Sequence, residues 1–169
     1  MERGREKMDQ YIRQYGKRLY GLCLTLCARP WDAADLYPET WLRACQYFHR
    51  YDPAQPFEPW LTKICVNTYR SALRRLARSP VLNGFRSSEE KEALLAGIPA
   101  PEKPDYLPLY EAVDALPEKL RLAVILFYFQ DMDIQAAARV LGIPPGTVKS
   151  RLNRARRMLK EVLTDETDL

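Results

Sequence analysis

Apolar residues recur along this chain at helical spacing. Near the C-terminus Val148, Leu152, Ala155 and Leu159 stand at i, i+4, i+7 and i+11, which places them on one side of a helix turning by about 100° per residue. Leu61, Ile64, Cys65, Thr68, Ala72 and Leu76 make a second stripe of the same period. Between residues 120 and 129 almost every position is apolar, which predicts a core helix. No segment alternates with period two and no internal repeat occurs, so the pattern predicts an all-α fold.

Helix breakers divide the chain. Residues 8–78 are aromatic-rich and helical by period. Residues 79–108 are interrupted by Pro80, Gly84, Gly97, Pro99, Pro101, Pro104 and Pro108, and the helical pattern resumes at 109. The expectation is two small helical domains, 1–78 and 109–169, joined by a flexible linker over 79–108. Such a linker is long enough that the domains need not touch. Ser88, followed by Glu89 and Glu90, predicts one short helical turn inside it, over residues 88–96.

The C-terminal domain carries start and stop signals. Pro117 suits the first position of a helix, where its missing N–H is no loss. Asp131 or Asp133 can cap a helix over 134–141, and Gly142 supplies the positive φ that ends it. Pro144, Pro145 and Gly146 are expected to form the next turn, and Thr147 to cap the last helix. Residues 133–159 thus read as a helix-turn-helix.

Charge matters here through its location. The net charge of +4 on 169 residues fits a polyanionic partner without requiring one, but no acidic residue occurs from 149 to 160. Opposite the apolar stripe of the last helix stand Ser150, Asn153, Arg154 and Arg157, flanked by Lys149, Arg156 and Arg151. Guanidinium, amide and hydroxyl groups on the outer face of a packed second helix are what the DNA major groove accepts. In the N-terminal half Lys63, Asn67, Arg70 and Arg74 make a similar polar stripe. The loop before it, residues 49–57, is flanked by Trp41, Tyr47, Phe48, Tyr51, Phe57 and Trp60. Aromatics beside cations suit unstacked single-stranded bases. Trp41, Phe57 and Trp60 are expected in the core, whereas Tyr47, Phe48, His49 and Tyr51 are less easily placed inside.

Three blocks in this order resemble the sigma-70 family of bacterial RNA polymerase sigma factors, in its compact extracytoplasmic-function group. The first is Asp32-Ala-Ala-Asp-Leu-Tyr-Pro-Glu-Thr-Trp-Leu-Arg-Ala44. The second is Pro56-Phe-Glu-Pro-Trp-Leu-Thr-Lys-Ile-Cys-Val-Asn67 with Leu73-Arg-Arg75. The third is Leu116-Pro-Glu-Lys-Leu-Arg121 with Leu141-Gly-Ile-Pro-Pro-Gly-Thr-Val-Lys-Ser-Arg-Leu-Asn-Arg-Ala-Arg156. The resemblance implies that Thr147, Lys149, Ser150, Asn153, Arg154 and Arg157 read the minus-thirty-five element as duplex. It implies that His49, Tyr51, Lys63, Asn67, Arg70 and Arg74 hold the melted minus-ten strand. It further implies that Asp32, Asp35, Leu36, Glu39, Thr40 and Arg43 dock on core RNA polymerase, and that an anti-sigma protein covers both domains. Pro38 departs from the family's usual glutamine, and a proline within a helix predicts a bend there or a helix start nearby.

Other chemistry is poorly supported. Glu39, Glu58 and Glu118 have no paired carboxylate or nucleophile at useful spacing, and there is no glycine-rich phosphate loop, so no active site and no cofactor are expected. Cys23 and Cys27, with Cys45 and His49, have the i, i+4 spacing of metal ligands. Their apolar helical setting instead predicts reduced core thiols and no metal. No run of about 18 apolar residues occurs and the N-terminus is polar, which predicts a cytoplasmic protein. The alternative reading is a stand-alone helix-turn-helix regulator whose N-terminal half dimerises or senses a signal.

Overall fold

The computed structural model describes residues 2–27, 30–78 and 107–167, with side chains over 2–27, 32–78 and 108–165. Among these residues the fold is all-α. Helices α1 (Glu2–Leu26), α2 (Pro30–Tyr47) and α3 (Phe57–Arg78) form the N-terminal domain. Helices α4 (Leu107–Asp114), α5 (Glu118–Val124), α6 (Ile134–Leu141) and α7 (Pro145–Thr167) form the C-terminal one. The helical turn predicted over 88–96 lies outside the described residues.

The N-terminal core comes from one face of each helix. Met8, Leu19, Leu22, Cys23 and Leu26 of α1 meet Ala33, Leu36, Trp41 and Ala44 of α2, and Phe57, Leu61, Cys65 and Val66 of α3. Gly16 lets α2 come close, since a Cβ there would lie 3.0 Å from the Tyr37 hydroxyl. Helix α2 runs unbroken through Pro38. The ring removes an amide donor to the Ala34 carbonyl, but both residues are exposed, so water can take the freed acceptor. On α3 Leu61, Cys65 and Thr68 of the apolar stripe are buried and Ile64 is half-buried, whereas Leu76 is exposed.

In the C-terminal domain Asp133 caps α6, accepting from the Ala136 amide at 2.7 Å. Gly142 ends it at φ 67°, and the amides of Gly142 and Ile143 both return to the Ala138 carbonyl. Two boundaries differ from expectation. Pro145 is the first residue of α7, and the Pro144 carbonyl accepts from the amides of Thr147 and Val148. Thr147 therefore lies within the first turn and does not cap it; a proline already fixed at helical φ starts the helix sooner. Pro117 lies one position before α5, with extended ψ of 141° and its carbonyl accepting from Leu120 and Arg121.

The apolar run begun by α5 does not stay a simple buried helix. It passes into a π turn over Ile125–Phe129, closed by the Gln130 amide on the Ile125 carbonyl at 3.0 Å. The extra residue per turn shifts the facing of the side chains. Ile125 and Leu126 stay buried, but Tyr128 emerges 49% exposed.

The linker's length suggested that the domains need not touch, yet they share one apolar core, with α6 packed against α3. Arg121, the charged residue in the α5 run, is 4% exposed. Its Nη2 donates to the carbonyls of Thr25 at 2.7 Å and Leu26 at 2.6 Å, and Nη1 to the Tyr69 hydroxyl at 3.2 Å. Asp114 and Glu118 lie 3.6 and 3.7 Å away. The final carbonyls of a helix lack intrahelical donors and carry the negative end of its dipole, so a guanidinium at the end of α1 meets both needs. Burial pushes the Tyr69 phenol up to about 12, against the pull of Arg121. A raised phenol pKa gives stability that is complete below about pH 10 and lost as pH rises through about 12.

Replacing Arg121 by Met should leave three acceptors without their donor and weaken the domain contact by roughly 2–4 kcal/mol. Small-angle scattering should then report a larger radius of gyration while circular dichroism keeps its helical signal. An unchanged radius would remove Arg121 from this role.

Candidate nucleic-acid interface

Helix α7 is seated by Val148, Leu152 and Ala155, all fully buried, with Leu159 half-buried. This fixes its other side outward. Lys149, Ser150, Asn153, Arg154 and Arg157 are exposed, while Thr147 is half-buried in the first turn. Among the described residues Lys149, Arg154 and Arg157 form no ion pair, so their charge is available to an anion. Ser150 donates its hydroxyl to the Thr147 carbonyl at 3.0 Å, leaving its oxygen outward as an acceptor. Arg156 bonds to Asn153 and to Tyr128 on the π turn.

On α3, Lys63, Asn67 and Arg74 are exposed and Arg70 is half-buried. Burial first, then the charges of Arg151 and Arg74, lower the Arg70 pKa from its usual value. Arg151 belongs to α7, so the closed fold crowds cations from both polar stripes. Like charges repel, and an anion between them would relieve this.

The aromatic residues around the loop serve mainly as a wall. Phe57 stacks on Tyr11 with centroids 3.9 Å apart, and Tyr51 lies 5.1 Å from Trp60 and 5.4 Å from Phe57. Phe48 and Tyr51, which the sequence did not readily place inside, are half-buried against this cluster, and Tyr51 donates to the Gln55 carbonyl, bracing the loop. Tyr47 and His49 are exposed, with the Arg50 guanidinium 5.5 Å from the Tyr47 ring. Tyr11 was missed from sequence because its partners around the loop, Phe48, Tyr51 and Phe57, lie 37 or more residues away; the Tyr11 and Tyr15 pair at i, i+4 was the available signal. The indole N–H of Trp41 is buried without a hydrogen-bond partner among the described residues.

The residues assigned to polymerase docking divide between two faces of α2. Leu36 and Thr40 point into the core, Thr40 donating to the Leu36 carbonyl at 2.7 Å, so they can support a docking face but not form it. Asp35 is exposed, and Asp32, Glu39 and Arg43 are half-buried. Glu39 pairs with Arg43 at 2.9 Å and approaches Arg75 of α3 at 3.8 Å. Leu42, absent from the predicted set, is 64% exposed in register with Asp35 and Glu39. An apolar residue so placed among charges is the missed candidate anchor.

Of the thiols expected in the core, Cys23 and Cys65 are buried and Cys45 is not. Cys23 faces Cys65, with sulfurs 3.8 Å apart and both residues fully buried, whereas Cys45 is exposed. The bond to Cys65 and burial push the Cys23 thiol far above its ordinary value. Among the described residues no group of three or more His, Cys, Asp or Glu is placed to hold a metal. Alkylation of the native protein, followed by mass spectrometry, should modify Cys45 first and Cys23 and Cys65 only on unfolding. Early labelling of Cys23 would contradict this packing.

Comparison with known proteins gives the family. Residues 11–79 match the family model for Sigma-70 region 2, and residues 106–159 that for Sigma-70, region 4. The ECF RNA polymerase sigma factor SigE of Mycolicibacterium smegmatis is 31% identical over 92% of this chain, which spans 61% of that longer protein. SigW of Bacillus subtilis is 25% identical over 89% of this chain and 86% of its own length. The solved sigma factor RpoE of Bartonella quintana, in complex with the anti-sigma factor NepR, aligns with a TM-score of 0.77 at 26% identity. That alignment covers 94% of this chain and 98% of the other. This chain belongs to the sigma-70 family, in its extracytoplasmic-function group. It is a sigma factor, which directs RNA polymerase to promoters. Among the described residues no helix is long and apolar enough to cross a membrane.

Proposed function

We propose that α7 reads the minus-thirty-five duplex while α3 and the loop before it hold the melted minus-ten strand, with the outer face of α2 docked on core RNA polymerase. The observation that carries this reading is the cationic face of α7, unpaired with any described carboxylate and seated by a capped helix and a glycine turn. Lys149, Arg154 and Arg157 supply charge to phosphates or guanine edges; Ser150 and Asn153 supply polar groups at base edges, and Thr147 lies at the helix start beside the backbone. On the other domain Lys63, Arg70 and Arg74 neutralise the strand, and Asn67, His49 and Tyr51 frame an unstacked base.

Opening a duplex needs no nucleophile: contacts to unpaired bases offset the few kcal/mol of unstacking per step. The protein is therefore read as a non-enzymatic subunit, working in the cytoplasm where the polymerase is, without metal or cofactor. RNA synthesis stays with the polymerase.

The closed fold is an inactive arrangement in this reading. The two promoter elements lie about 25 base pairs apart, roughly 85 Å at ~3.4 Å per pair, whereas a compact chain of this length is about 40 Å across. The domains must part at the Arg121 contact, and the chain between Arg78 and Leu107 can extend to about 100 Å. The Bartonella sigma factor aligns over both domains while bound to its anti-sigma factor, which supports an anti-sigma partner that grips this closed form. A stand-alone regulator is less well supported, because it has no use for the α3 stripe.

The test is transcription with bacterial core polymerase on a library of genomic fragments. The chain should co-purify with core enzyme and select a discrete set of start sites. Arg154→Ala or Lys149→Ala should weaken upstream-element use by about tenfold without loss of core binding, and Asn67→Ala should change preference at the melted element. Leu42→Asp should reduce core binding. A folded chain that does not bind core polymerase would sink the proposal.

A further inference from the structure

The π turn places Tyr128 against the outer side of α7, where it meets a residue not assigned above. Arg156 donates from Nε to the Tyr128 hydroxyl at 2.6 Å and from Nη1 to Asn153 Oδ1 at 3.0 Å, with its guanidinium carbon 5.6 Å from the Tyr128 ring centre. The direction of the second bond is set by chemistry. A guanidinium only donates, so the atom of Asn153 that it meets must be the carboxamide oxygen. The amide nitrogen is then the group left to face outward from the exposed Asn153.

On this basis we propose that Tyr128 and Arg156 form a positioning relay that turns the Asn153 amide nitrogen toward the duplex and biases Asn153 to read it as a donor. The proposal rests on the reading that α7 lies in the major groove. An unconstrained asparagine pairs in two places with adenine, accepting from N6 and donating to N7. The bond from Arg156 leaves Oδ1 a second lone pair but holds that oxygen toward Arg156, which weakens the first of these bonds. Asn153 instead favours a base edge that offers acceptors alone, guanine with N7 and O6 or thymine with O4. The π turn matters because in a regular continuation of α5 the phenol would not share the facing it has here. Arg156 acts through Asn153 and takes no base of its own.

The experiment uses the full chain assembled with bacterial core polymerase, on promoters randomised through the upstream element, with occupancy counted base by base. The parent should favour guanine or thymine over adenine at one position, and Asn153→Ala should flatten that position alone. Arg156→Met, which keeps the aliphatic stem but removes the donors, should shift that position toward adenine by about five- to tenfold. Tyr128→Phe should shift it less, in the same direction. The relay is overturned if Arg156→Met lowers occupancy uniformly across sequences, as a phosphate contact would, or if Asn153→Ala leaves every position unchanged. Absence of any upstream preference in the parent would instead defeat the underlying reading of α7, a result distinct from either of these.

Discussion

The arrangement of the whole molecule depends on one buried cation. Arg121 stands in an apolar segment and would be costly there without partners, yet its donors reach two terminal carbonyls of α1 and a phenol on α3. Those carbonyls need a donor as much as the guanidinium needs acceptors, so each domain supplies what the other lacks. The apolar contact of α6 with α3 adds area, while the hydrogen bonds set the register between the domains.

That register has a functional consequence. It brings Arg151 of α7 within electrostatic reach of Arg70 of α3, a repulsion that an anion between them would relieve. Apolar burial and the Arg121 bonds favour closure, and cation repulsion opposes it. A balance of this kind can be tipped by a partner that binds one arrangement better than the other.

The same economy of elements appears at smaller scale. The segment that carries Arg121 into the interface continues into the π turn that carries Tyr128 to α7. One short stretch of chain thus joins the domain contact to the outer face of α7. Helix α2 shows a comparable split, with Leu36 and Thr40 held inward so that Asp35, Glu39 and Leu42 share the outer side.

Where interactions are local, the sequence was sufficient. Asp133 as a cap, Gly142 as a stop, the packed side of α7 and the outward stripe on α3 depend on neighbours within a few residues, and periodicity reports them directly. The promoter-binding class was legible for the same reason, as spacing and residue type within three short blocks. Tertiary structure decided what depends on distant partners. It placed Cys65 against Cys23, turned Leu36 and Thr40 inward, closed Tyr51 and Phe48 into a ring cluster with Tyr11, and joined the two domains at Arg121. An arginine in an apolar run shows in the sequence only as an exception. Its meaning lies in carbonyls 95 and 96 residues earlier, which only the folded chain brings within hydrogen-bond distance.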